Sequence, residues 1–144
     1  VKVLEHKLLF IIDSISLLIY GEPIFQAKFL AREKGPTENQ LELIQTNKKI
    51  SNDTKEKSYE IYDFSLSIAE KIFNLTVEAI NKNLIDFNTD KLIELTHTKD
   101  WESKYKDKKY NNYSIKDLFY FAKSTLIEKY PEFVQYVKNG CKIV

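Results

Sequence analysis

The chain of 144 residues has no methionine, one cysteine, three glycines and three prolines. So few glycines and prolines leave too few tight turns for a β-sandwich or barrel. The single thiol, Cys141, cannot form an internal disulfide and excludes every multi-cysteine zinc motif, which points to a cytoplasmic chain. With no methionine even at position 1, the sequence reads as trimmed at its start or as having lost its methionines. An excess of one charge is also missing: 22 Lys and Arg face 21 Asp and Glu, so the basicity of a DNA-binding module is absent. No apolar run reaches the roughly 18 residues of a membrane span. The run LLFIIDSISLLIY, preceded by Lys2 and Lys7, resembles a signal peptide, but Asp13 interrupts it and no small-x-small cleavage site follows. A buried helix is the better reading.

What is present is globular. Apolar residues make up 43% and charged residues 30%, which suits one domain with a real core over residues 1–144. From Val3 to Tyr20 the pattern is helical, with Leu4, Leu8, Ile11, Ile15 and Leu18 on one face. Further apolar residues fill most of the circumference, so this helix belongs at the centre of the fold, with Lys2, His6, Asp13 and Tyr20 as a narrow polar line. Gly21 and Pro23 terminate it. Residues 23–32 alternate loosely and suggest a short extended or β element. Gly35-Pro36 then reads as a break, with Thr37 and Gln40 spaced as a capping box for a short helix through Leu41 and Ile44. The charged tract 46–57 reads as a mobile surface loop.

A long helix follows, carrying Ile61, Ile68, Ile72, Leu75 and Ala79 and continuing through Ile80 and Leu84. Asn88 or Thr89 caps a short helix with Leu92, Ile93 and Leu95. Ser114 caps another, and Pro131 opens a last one containing Phe133, Val134 and Val137, closed by Gly140. The expected class is mainly α, a compact helical fold around the N-terminal helix.

Chemistry is thinly represented. His97 has Glu94, Asp100 and Glu102 nearby, but His6 is the only other imidazole. At a helix end, a histidine's ordinary role is to bond last-turn carbonyls, so His97 reads first as structural, then as a partner contact, and least as a metal ligand. His6 and Asp13 lie roughly 10 Å apart along one helix and cannot form a dyad within it. Cys141 sits next to the C-terminus, a poor place for a preorganised nucleophile. Neither a G-x-S-x-G elbow, a Gly-rich phosphate loop nor an H-E-x-x-H helix occurs. No cofactor is implied and the chain reads as a non-enzyme. KDWESKYKDKK (99–109) interleaves basic and aromatic residues as a single-strand binder does, yet Asp100, Glu102 and Asp107 dilute its potential, so a solvated loop is the first reading.

In order, KLLFIIDSISLLIYGEPIF, AKFLAREKGP and LIELTHTKDW resemble the Panacea domain, the SocA-like antitoxin domain also found in phage-associated proteins. That family looks like a KLLY helix, a Gly-x-Pro-Leu-Phe turn, an Ala-Trp-x-x-Gly-Pro segment, and a Leu-Thr-His motif ahead of a Trp. Lys7, Leu8, Leu9 and Phe10 match the first; Gly21, Pro23, Ile24 and Phe25 the second. Ala31, Gly35 and Pro36 match the third, and Leu95, Thr96, His97 and Trp101 the fourth. The resemblance runs from about residue 4 to residue 123. Arg32 and Lys34 replace the usual aromatic surroundings of the third segment, Thr37 replaces a valine, and the family's leading helix is absent.

The resemblance implies an antitoxin that neutralises a partner toxin by direct binding, or, in the SocA manner, by delivering it to a protease. Candidate partner contacts are Phe25, Phe29, Arg32, Thr96, His97 and Trp101, with core packing the alternative for Phe25 and Trp101. Gly21, Pro23, Gly35 and Pro36 are backbone-geometry residues on either view. The alternatives are a nucleic-acid-binding helical regulator, suggested by the Lys-Tyr tract, and a phage-associated helical protein without enzymatic activity.

Overall fold

A computed structural model describes residues 3–25, 27–46 and 66–142. The expected surface loop, apart from Thr46, and the expected helix position Ile61 lie outside these residues.

Helix α1 (Val3–Tyr20) is the hub. Almost its whole circumference is apolar, so it can be covered on every side, and Phe10, Ile11, Ile12 and Ile15 are all at most 1% exposed. A two-stranded hairpin, β1 (Phe29–Arg32) and β2 (Gly35–Glu38), packs on its N-terminal half, followed by α2 (Asn39–Thr46). Beyond residue 65 come α3 (Leu66–Asn81), α4 (Thr89–Thr96) and α5 (Lys99–Lys106). Helix α6 starts as Ile115–Tyr120, widens into a π-helical turn over Phe121–Leu126 and ends with Ile127–Lys129; α7 is Pro131–Cys141. Helices α3, α4, α6 and α7 all contact α1, and the class is mainly α. Phe10 is the aromatic centre, meeting Phe29, Tyr113 and Phe121 edge-on at centroid distances of 5.1, 5.2 and 4.9 Å.

The expected caps of the later helices are present. Asn88 Oδ1 accepts from Lys91 N at 2.9 Å, Ser114 and Asp117 form a reciprocal capping box, and Pro131 occupies the first turn of α7. Elsewhere the structure corrects the sequence reading. Gly35-Pro36 is not a break but the start of β2, paired antiparallel with Arg32 and Ala31. Proline is tolerated there because it sits near the beginning of a short strand. Thr37 therefore lies in a strand rather than at a helix cap, and the Glu38 carboxylate accepts from Leu41 N instead. The outer edge of β1 is covered by Asn111–Tyr113, with Ala31 N donating to Asn111 O and Tyr113 N to Phe29 O.

Two helix ends also move. Helix α3 ends at Asn81, and Asn83, with φ 59°, turns the chain so that Leu84 lies beyond it. Gly140 is inside α7 rather than past its end: a Cβ there would stand 2.5 Å from Leu75 Cδ2, so glycine allows α7 to approach α3 closely. Residues 99–106 form α5 where a loop was expected. Thr98 caps it, and Asp100–Lys104 and Glu102–Lys106 pair at 2.9 Å across one turn, acids first and bases last as the helix dipole favours.

The polar line of α1 is not merely tolerated. Asp13, 1% exposed, accepts through Oδ1 from both Ile24 N and Phe25 N at 3.0 Å, and Ser16 Oγ donates to Glu22 O at 2.6 Å. These three bonds fasten the chain after Gly21 back onto the helix. At the other end His6 Nδ1 accepts from Glu38 N at 2.9 Å and Lys7 Nζ donates to Pro36 O at 2.8 Å. Burial pushes the Asp13 carboxyl up from 3.8 to about 7, against the lowering effect of the two amides.

Between those two values the unfolded chain has released the Asp13 proton while the folded chain still holds it. Its contribution to stability therefore falls as pH rises from about 4 to about 7 and stays low above that. Asp13→Asn keeps an acceptor and abolishes the buried charge, so urea unfolding should show the wild type losing stability relative to this variant across that window. Asp13→Ala leaves two backbone amides without a partner and should cost roughly 2–4 kcal/mol near pH 4, and less at higher pH as the wild type itself loses stability.

Candidate functional site at the hairpin tip

Three of the four motif segments meet where the tip of the hairpin, Glu33-Lys34, lies between the first turns of α1 and the α4–α5 junction. Gly35 has φ +105°, a conformation that L side chains rarely adopt. A Cβ there would stand 2.6 Å from Thr96 Oγ1 and 3.0 Å from Lys7 Cε. The KLL, Gly-Pro and Leu-Thr-His motifs are thus one packing unit. Thr96, 1% exposed, donates its hydroxyl to Leu92 O at 2.8 Å and closes the last turn of α4.

The LTHTKDW stretch supplies the outer part of the unit. Trp101 Nε1 donates to Arg32 O at 2.7 Å, tying α5 to β1. The imidazole of His97 lies flat on the Trp101 ring, 3.7 Å between centroids and 7° from parallel, and bonds the Glu33 backbone; Nε2 has no partner. Burial, helped by the positive charge of Lys7, holds His97 below its usual range, against the Glu33 bond that raises it. Trp101 in turn stacks on Tyr105 at 5.1 Å, and Tyr105 is 42% exposed. The result is a file of three parallel rings running from the hairpin tip to solvent. Arg32 is clamped beside it by Glu42, with Nε and Nη2 each 3.1 Å from a carboxylate oxygen.

The candidate contacts therefore divide. Arg32, Thr96, His97 and Trp101 come together with Gly35 and Pro36, but Thr96 is sealed inside. Phe29 is 1% exposed against Phe10 and presents no surface, and Phe25 is half-buried against the core beside Asp13, roughly 10 Å along α1 from Lys7. Gly21, with φ +78° and open space around it, and Pro23 belong to that distant turn. Tyr105 was missed because its tract read as a loop; the four-residue step from Trp101 is the signal that places both rings on one helix face. In the sequence Lys7 is only a charge ahead of an apolar run and a match to the family's first motif, so its burial and its bond to Pro36 O are not foreseen there.

Beside the ring file, between α1 and the hairpin, an open pocket of about 420 Å³ is lined by charged groups that include Lys7 and Arg32. Among the described residues no group of three or more His, Cys, Asp or Glu is placed to hold a metal, and no helix is long and apolar enough to cross a membrane.

Gly35→Ala should destabilise the fold by roughly 3 kcal/mol or more, since it adds backbone strain to a steric conflict with Thr96 and Lys7. Gly21→Ala meets open space and should cost only about 1 kcal/mol. Parallel urea titrations of the two variants measure the difference.

No curated protein and no solved structure matches the chain. Residues 6–102, more than half of it, match the family model described as antitoxin SocA-like, Panacea domain. That span begins at His6 and ends just past Trp101, taking in every motif segment that meets at the hairpin tip. The chain belongs to the SocA-like antitoxin family and carries its Panacea domain.

Proposed function

We propose that the chain neutralises a partner toxin by direct protein–protein binding, in the cytoplasm and without catalysis, and that the exposed end of the ring file is part of the docking surface. The observation that carries the reading is the His97–Trp101–Tyr105 stack on a family member of this type. Its inner rings are fixed by the hairpin and its outer ring faces solvent, with Arg32 held in place alongside. Fixed aromatic and arginine side chains bind with little entropy left to lose, and they dominate interface energetics. A neutralising interface of roughly 1,200–2,000 Å² would extend well beyond this patch, so the reading takes residues 1–144 as one unit that docks through its exterior.

The lysines of 99–109 give weaker support to a nucleic-acid partner. Lys104 is held between Asp100 and Asp117, and Lys106 by Glu102.

Co-expression with the product of the adjacent gene should restore growth and yield a complex that co-purifies. Tyr105→Ala should weaken that complex about 30-fold while leaving the unfolding midpoint unchanged, as for loss of one anchor worth about 2 kcal/mol. Absence of both rescue and co-purification would contradict the reading, and an unchanged affinity in Tyr105→Ala would remove the stack from the interface. Handing the toxin to a protease would show instead as rescue with loss of toxin protein, reversed when the protease is removed.

A further inference from the structure

Lys7 is 1% exposed and lines the wall of the pocket between α1 and the hairpin. Its ammonium makes one hydrogen bond, to Pro36 O, although it has three donors. No carboxylate among the described residues pairs with it, whereas buried cations are ordinarily paired. Burial alone pushes it down to about 8, the response of a cation without a negative neighbour. Beside it Gly35 has no side chain, and a Cβ there would sit 3.1 Å from Nζ and 2.6 Å from Thr96 Oγ1, so the glycine is what lets the ammonium lie against the hairpin backbone.

The other charged groups on the pocket wall are Arg32, Glu33, Lys34 and Glu42. Arg32 and Glu42 neutralise each other through their two-point contact. That leaves Lys7 and Lys34 against Glu33, a surplus of one positive charge. His6 also lines the wall, and since its Nδ1 accepts from Glu38 N, the neutral ring carries its proton on Nε2.

We infer that this pocket is an anion site whose occupant is a carboxylate, held by Lys7 at its inner wall and drawn in by Lys34 at its rim. One surplus charge suits a monoanion better than a phosphate dianion. The carboxylate is assigned to an acidic side chain of the bound partner, seated beside the ring file; that source rests on the antitoxin reading, while the site itself does not.

The test titrates the isotopically labelled full chain with sodium acetate, inorganic phosphate and sodium chloride at matched ionic strength, following the Lys7 side-chain resonances. Acetate should give a saturable shift that chloride does not. Lys34→Gln, an exposed change that leaves the core intact, should weaken acetate about fivefold, as for one rim charge. Lys7→Met, followed through the Lys34 and Gly35 resonances instead, should abolish the saturable shift, and if that variant does not fold the Lys34→Gln titration decides. A shift linear in salt, or equal for acetate and chloride, would overturn the site and make Lys7 a purely structural donor to Pro36. Tighter saturation by phosphate would overturn the carboxylate assignment. In the complex with the adjacent gene's product, Lys34→Gln should weaken binding and acetate should compete. Acetate binding to the free chain with a complex indifferent to both would overturn the partner as the source, leaving a free small carboxylate.

Discussion

Four polar side chains on a mostly apolar helix hold the turn after Gly21 and the hairpin in place. Asp13 and Ser16 take up the backbone of the turn after Gly21, and His6 and Lys7 take up the backbone of β2. A two-stranded hairpin is marginal by itself, and an irregular turn in a core leaves backbone groups without water. Each such group costs about 1–3 kcal/mol if unpaired. The helix supplies those partners directly, so turn and hairpin can pack against the same apolar cylinder as the other helices. This is why these four polar residues of α1 are buried together with its isoleucines rather than turned outward.

The candidate site is a consequence of that arrangement. Once β2 is fastened to α1, Gly35 meets Thr96, the tip of the hairpin lies over the end of α4, and Arg32 O receives the Trp101 indole. The stack of His97, Trp101 and Tyr105 then has a rigid base. An antitoxin needs no reaction centre; it needs a surface whose shape survives until the partner arrives. Here the rigidity derives from interior hydrogen bonds, and the groups proposed for recognition are what those bonds leave at the exterior.

Much of the helical frame was legible in the residues because its signals are local. Asn88 and Ser114 mark helix starts through bonds to amides within their own first turn, Pro131 does so through its fixed φ, and the apolar circumference of α1 identifies a buried helix without reference to its neighbours. The hairpin was half legible. The alternation before Arg32 suggested a strand, but Gly35-Pro36 carries ordinary loop chemistry, and its strand identity comes from cross-strand pairing and from Lys7, 29 residues away in sequence. The end of α7 failed for a related reason, since Gly140 answers to Leu75 on another helix rather than to its own chain. In α5 the charge pairs were present, but the net polarity of the tract outweighed their spacing. The motif order was legible as a resemblance; that three of its segments form one packing unit was not, because the contacts linking Lys7, Gly35 and Thr96 are tertiary.

Native-state amide hydrogen exchange tests the central claim most directly. If α1 holds the turn and the hairpin through buried side chains, the amides of Ile24, Phe25 and Glu38 should be protected to the same degree as those in the middle of α1, although none of the three lies in a helix. Exchange of these amides at the rate of an exposed loop, with α1 still protected, would contradict the account.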